Sequence, residues 1–445
     1  MRGLSVLKKL SVLLFKTCKR QNFIYRTDAD LSFRKGLRKQ PFSKVVFLSA
    51  GVCFLGTFSA GYLHADELGD ILSKNKTALF DYQFQSNDLE SDILSRSWIN
   101  PISLQYSKTY SEQYSDKTVQ TGSFSIGIDQ PIFKSGGIYY SIKYSEALHD
   151  ANAADIMLQK RQMIGNAVTQ LYAMKKLELQ QQKLTYLIRN DTIDIKQKRE
   201  SYEAGLLDSS YLDQALLQKN VDETSLLETE ISLMQSKQEF AVLSDKDPKQ
   251  LKLPRLKLIS ASDFKGSNLE LARERLREKE KAYNAKMTWA KYLPTISLQG
   301  RYTDGDVNPY SYFSTLKERY YSYGFTISMP IDINSLSEVE AAKVARMKAA
   351  TEVIDRQNMI DEEYNLVNQN LRIIDKKIQL AKKDEKLYQN LYQLTRNLEK
   401  AGEKTSYDTA MMQNSLEIKK LDQKIYEADK QIELLKLYIK VENAL

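Results

Sequence analysis

Side chains that do chemistry unaided are scarce in this sequence. It holds two histidines, His64 and His149, and two cysteines, Cys18 and Cys53, among 445 residues. Both cysteines and His64 fall in the first 65 residues, so a chain beginning near Asp66 keeps one histidine and no thiol. Such a chain has no disulfide framework, no Cys/His zinc site and no thiol nucleophile. Nothing near His149 resembles a catalytic partner, and no Gly-rich phosphate loop is present. No enzyme activity, cofactor or metal is expected.

The formal net charge of +8 first suggests a nucleic-acid or anionic-membrane partner. Its distribution removes that reading. Twelve basic residues between Arg2 and Lys44 face only Asp28 and Asp30, which puts +10 in residues 1–65 and leaves the other 380 at −2. No nucleic acid is expected as a partner. Residues 45–62 are apolar and follow Lys44, and Ala65 precedes Asp66. This is the layout of a leader with a secretory signal peptide, the alternative being an uncleaved anchor. Ala50, Gly51 and Val52 before Cys53 do not form a lipoprotein site. The basic stretch is long for such a leader, and translation is expected to begin near Leu37.

The elements that follow occur twice. Asn100-Pro101-Ile102-Ser103-Leu104-Gln105 returns as Leu293-Pro294-Thr295-Ile296-Ser297-Leu298-Gln299, and Glu203-Ala204-Gly205 returns as Lys400-Ala401-Gly402. With Phe124–Ile132 returning as Phe325–Ile331, three landmarks keep one order and nearly one offset. The first repeat is read at 66–247, with strands about 101–132 and a helical hairpin about 138–244. A linker at 248–268 carries Pro248 and Pro254. The second repeat spans 269–445, with strands about 294–331 and a helical hairpin about 335–443. A shorter helix over 269–292 leads into the third strand.

The long helices contain no proline, and sixty-odd residues reach roughly 90–100 Å. Ile360, Val367, Leu371, Ile374, Ile378 and Ala381 form a coiled-coil stripe on one of them. Residues 226–241 carry two adjacent stripes, which predicts neighbours on both sides. Four alternating strands per chain cannot close a sheet, and a membrane requires closure. Three chains would supply twelve strands around an aqueous lumen. Tyr106, Tyr110, Tyr114, Tyr302, Tyr310, Tyr312, Tyr320, Tyr321 and Tyr323 cluster where strands would meet a membrane interface. The fold class is therefore mainly α with a small β part: two repeats of β-hairpin plus helical coiled-coil hairpin, forming a trimeric 12-stranded barrel and an α-helical barrel.

These residues resemble the outer membrane efflux proteins, the TolC-like channel-tunnels. The resemblance rests on Tyr292-Leu293-Pro294-Thr295-Ile296-Ser297-Leu298, Gln130-Pro131-Ile132-Phe133-Lys134-Ser135-Gly136-Gly137, Tyr202-Glu203-Ala204-Gly205-Leu206, and Ala401-Gly402 with Ser406 and Asp408. It covers residues 100–445. It implies a homotrimer in the outer membrane of a Gram-negative bacterium, with its helical barrel in the periplasm. The implied role is the exit duct of a tripartite efflux pump or type I secretion system. Its implied partners are outer-membrane lipid, a periplasmic adaptor and an inner-membrane transporter of RND, ABC or MFS type.

The resemblance also assigns residues. Gly205, Leu206, Gly402 and Glu403 become adaptor-contact tips, although both glycines also read as helix C-caps. Pro131, Gly136, Gly137 and Pro330 mark strand-to-helix transitions, and the second copy lacks the paired glycine. Counted from the two tip glycines, Ser210, Tyr211, Glu399 and Lys404 fall at the entrance gate, with a Glu399–Tyr211 hydrogen bond as one link. Asp408 matches the first of two entrance carboxylates, and Met411 takes the second position. Asp408 also suits the start of a helix. Residues 68–98 are polar and irregular, so the family's N-terminal helix is not visible there. The competing classes are a periplasmic adaptor, which carries one hairpin between lipoyl-like halves, and a membrane-anchored coiled-coil scaffold.

Overall fold

Helices in this chain start on side chains that replace missing backbone acceptors. Ser73, Asp208, Ser260, Asn268 and Thr405 each accept from a backbone N–H in the first turn. The computed structural model describes residues 71–114, 117–306 and 317–441, and the leader lies outside them. The elements run α1 (Lys74–Ser95), β1 (Ser103–Tyr114), β2 (Lys117–Phe133), α2 (Gly137–Glu203), α3 (Ser209–Leu243) and α4 (Ala261–Gly266). They continue with α5 (Leu269–Lys291), β3 (Thr295–Gly305), β4 (Arg319–Ser328), α6 (Ser335–Lys400) and α7 (Ser406–Tyr438). A unit of helix, two strands and two long helices thus appears twice.

Helix α1 corrects the reading of residues 68–98 as irregular. It has little apolar stripe to announce it, and packing on α2 holds it instead. Phe80 is buried, Asn87 Nδ2 donates to the His149 carbonyl at 3.0 Å, and Ser145 Oγ donates to the Ser91 carbonyl at 2.8 Å.

The four strands form one antiparallel sheet in the order β1-β2-β3-β4. Pro131 does not end β2. The strand runs on to Phe133, with a register shift between Pro131 and Phe133 that absorbs the missing N–H. Strand β4 stops at Ser328, two residues short of Pro330.

The main core lies where α2, α3, α5, α6 and α7 converge. Val168, Leu171, Phe240, Phe264, Ile360, Leu434 and Leu435 are buried there, each contributing roughly 1.5–3 kcal/mol. The extended segment over 254–259 crosses these helices without joining the sheet. Side chains satisfy its backbone instead. The Tyr172 hydroxyl donates to the Pro254 carbonyl, Tyr364 Oη to the Ile259 carbonyl at 2.9 Å, and Tyr438 Oη to the Lys257 carbonyl at 2.9 Å. Gln431 Oε1 accepts from Leu256 N at 2.7 Å.

Candidate functional site

The sheet has two unlike faces. Directly paired residues share a face. The register joins Leu104 to Ile126, Ile126 to Tyr302 and Tyr302 to Tyr321. One face therefore carries Leu104, Tyr106, Tyr110, Phe124, Ile126, Ile128, Ile296, Leu298, Tyr321, Tyr323, Phe325 and Ile327. The other carries Ser103, Gln105, Ser107, Thr109, Thr121, Ser123, Ser125, Asp129, Ser297, Gln299, Arg301, Thr303, Ser322 and Thr326. Hydroxyls bond across this polar face, as in the 2.8 Å contact of Ser107 Oγ with Ser123 Oγ. Among the described residues nothing covers the apolar face of β4: Tyr323 is 85% exposed and Phe325 70%. Tyr320 is the exception among the tyrosines, since it pairs with Thr303 on the polar face. Tyr310 and Tyr312 lie outside the described residues. No described helix is long and apolar enough to cross a membrane.

The long helices form a row. Helix α3 packs on α2, α2 on α7 and α7 on α6. The stripe Ile360, Val367, Leu371, Ile378 and Ala381 is buried, as are Ile418, Leu421, Ile425, Ala428 and Leu435 on α7. The two end helices each keep a second, uncovered stripe. On α6 it is Met359, Leu366, Ile373, Leu380, Leu387 and Leu394, one residue every seven. On α3 it includes Leu217, Val221, Leu227, Ile231 and Met234, all exposed. The helix row and the sheet are thus both open at two edges.

The strand-to-helix transitions differ between copies. In the first, Ser135 (φ 47°) and Gly136 (φ 86°) take the left-handed conformation, and Ser135 Oγ donates to the Pro294 carbonyl at 2.7 Å. Gly137 follows as the first residue of α2. In the second copy Asn334 is right-handed (φ −80°), and the chain past Pro330 needs no glycine.

Both tips end in the same motif. Gly205 (φ 73°) donates to Tyr202 O and Leu206 to Ser201 O, and Gly402 (φ 79°) donates to Glu399 O and Glu403 to Leu398 O. These paired bonds satisfy the last carbonyls of α2 and α6, and the positive φ favours glycine. A Cβ on either glycine would meet nothing within 4 Å, and Leu206 is 80% exposed, so the tips stand free.

Of the gate residues, Ser210 and Tyr211 open α3, while Glu399 ends α6. Among the described residues no hydrogen bond joins Tyr211 to Glu399 or Ser210 to Lys404. Helices α3 and α6 are the two ends of the row, so these side chains do not pair within one chain. Asp408 has a defined place. Its carboxylate accepts from Thr405 N at 3.0 Å and Thr405 Oγ1 at 2.9 Å, completing a capping box. Those bonds, with Lys404 and Gln197 nearby, hold its carboxyl below the usual range. The carboxylate is charged and anchored to the helix start.

Reading by sequence missed the contacts between α2 and α7. Tyr407 Oη donates to Glu200 Oε1 at 3.2 Å, and Lys196 Nζ lies 5.0 Å from the Tyr407 ring centroid. Lys183 Nζ meets Asp422 Oδ1 and Lys176 Nζ meets Asp429 Oδ1, both at 2.7 Å. A signal exists in the heptad spacing of these residues, but it names no partner until the helices are set antiparallel. His149 is a tie between helices: Nε2 contacts Asp88 Oδ1 at 2.8 Å, and this bond raises the imidazole pKa.

No family model and no curated protein matches the sequence. Solved structures do match it. The outer membrane protein VceC of Vibrio cholerae has TM-score 0.67 and 14% identity, over 85% of this chain and 95% of that one. The CmeC outer membrane channel of Campylobacter jejuni has TM-score 0.67 and 13% identity, over 85% and 86%. The open-state MtrE outer membrane channel of Neisseria gonorrhoeae has TM-score 0.58 and 13% identity, over 85% and 93%. With its helix row, its two-faced sheet and its duplicated unit, this chain has the fold of the TolC-like outer-membrane channels.

Proposed function

We propose that three copies of this chain close into an outer-membrane channel-tunnel. The observation that carries this reading is the sheet: an exposed apolar face, a hydroxyl-rich face behind it, and two unpaired edges. A soluble protein leaves neither such a face nor such edges bare. Closing β4 of one chain onto β1 of the next removes both edges, puts Tyr321, Tyr323 and Phe325 toward lipid, and turns the Ser/Thr face into a wet lumen. The same operation seats α6 of one chain beside α3 of the next and covers both free stripes. It is a head-to-tail interface that must close as a ring. It also brings Glu399 of one chain toward Tyr211 of another, where their hydrogen bond would join neighbouring copies.

The helical barrel then stands in the periplasm with its tips toward an adaptor and an inner-membrane transporter. The protein acts as the exit duct of an efflux pump or type I secretion system and performs no reaction itself. Gly205, Leu206, Gly402 and Glu403 are the surfaces offered to the adaptor. Fractionation tests the reading. The expected result is an outer-membrane protein that runs as a heat-resistant trimer and conducts ions in planar bilayers. A monomer in the soluble periplasmic or inner-membrane fraction would overturn it.

A further inference from the structure

The hydroxyl-rich face of the sheet is almost free of charge. Over residues 103–111, 119–131, 297–305 and 320–328 it carries two charged side chains, Asp129 and Arg301. Lys108, Asp304 and Arg319 belong to the apolar face by register. There Arg319 Nε meets Asp304 Oδ2 at 3.1 Å, and Lys108 Nζ lies 5.3 Å from the Tyr110 ring centroid. The two charges on the polar face are not equivalent. Asp129 sits directly opposite Gln299, and its carboxylate accepts from Gln299 Nε2 at 3.2 Å. Arg301 sits between Gly127 on β2 and Ser322 on β4. Gly127 leaves it room, since a Cβ there would stand 3.8 Å from Arg301 Nε and 2.9 Å from Ser103 Oγ. Arg301 is exposed and forms no ion pair among the described residues.

We propose that three Arg301 side chains, one from each copy, form a cationic ring inside the barrel that favours anionic over cationic cargo. The proposal rests on the channel reading and adds to it the charge of what passes. Twelve strands spaced about 4.8 Å apart and tilted by about 40° close at a diameter of about 24 Å. An arginine side chain crosses enough of that radius to bring its charge within about 8 Å of the axis, the Debye length at physiological salt. Ions on the axis therefore feel the ring. The shorter Asp129 stays nearer the wall and is already engaged by an amide. It also lies two residues, about 7 Å, closer to the helices. Each guanidinium offers paired donors that match the oxygens of a carboxylate or phosphate.

The test is recording of the full chain in planar bilayers under a potassium chloride gradient, with citrate added from the side of the strand loops as a blocking anion. Arg301→Gln removes the charge, Arg301→Lys keeps it, and Ser322→Glu places a carboxylate opposite Arg301. All three face the lumen and should trimerise at the wild-type level. The chloride-to-potassium permeability ratio is expected to fall about threefold in Arg301→Gln and Ser322→Glu, the effect of a potential change near one kT. Half-block by citrate should need a concentration about fivefold higher in both. Arg301→Lys should keep the wild-type ratio. Wild-type ratio and wild-type block in both charge-removing variants would overturn the ring. So would an equal loss in Arg301→Lys, which would mean that the shape of the side chain matters and its charge does not. A chain that does not conduct, trimeric or not, would overturn the channel reading and the ring with it.

Discussion

Gly165 shows how closely two helices approach. A Cβ there would stand 2.3 Å from Ile439 Cγ1, so α2 can pass the end of α7 only where α2 has no side chain. Asp191 is a different kind of residue, a carboxyl placed at a cost. Its Oδ2 is buried without a hydrogen-bond partner. Burial first, then the Asp222 carboxylate across the hairpin and Asp194 beside it, push its pKa from 3.8 up to about 6, with Lys219 opposing. The folded-state pKa is raised, so the stability Asp191 contributes is complete below about 3.8 and is lost as pH rises through about 6. Asp191→Asn copies the protonated form. It should flatten the stability curve between those values and stabilise the protein at neutral pH by about 1 kcal/mol, discounted for partial exposure. Thermal melts at a series of pH values check this, and an unchanged slope in the variant would remove Asp191 as its source.

At the scale of elements, α6 has two stripes with separate duties. Leu371 faces inward and is 3% exposed, whereas Leu380, on the seven-spaced outer stripe, is 61% exposed. A carboxylate in each position should separate folding from assembly. Leu380→Asp is expected to keep its helicity by circular dichroism and lose the trimer on size exclusion. Leu371→Asp buries an unpaired charge and should unfold the chain, a loss of about 3 kcal/mol or more. A stable trimer of Leu380→Asp would mean that this stripe is not the joint between copies.

At the scale of the whole molecule, neighbouring residues of β4 are assigned opposite surroundings. Phe325 pairs with Leu298 and Thr326 with Ser297, on the two faces of the sheet. In a membrane barrel, an Arg on the lipid face costs about 2–4 kcal/mol near the midplane, while the lumen tolerates it. Phe325→Arg should therefore fail to reach the outer membrane as an assembled trimer, and Thr326→Arg should assemble at the wild-type level. Quantifying trimer in outer-membrane fractions checks this. Equal recovery of the two variants would mean that the apolar face does not meet lipid.

Much of this organisation is legible along the chain, because the signals are periodic and local. Strand alternation, two proline-free helices with inward stripes, and glycines at both tips each follow from residue spacing. The duplication and its order follow as well. Helix α1 was not legible, since packing on α2 rather than an apolar stripe holds it. The register shift just after Pro131 was not legible either, since it depends on the pairing of β2 with β3. Partnership is what the sequence alone left open. Which helix lies beside which, and at what level, depends on contacts between residues more than two hundred positions apart, as in Lys183–Asp422 and Glu200–Tyr407. The sequence thus determined the elements and their faces. Only the tertiary structure decided that α2 and α7 share a seam and that α3 and α6 stand at the edges, because register between distant helices is set by side chains that meet only after folding.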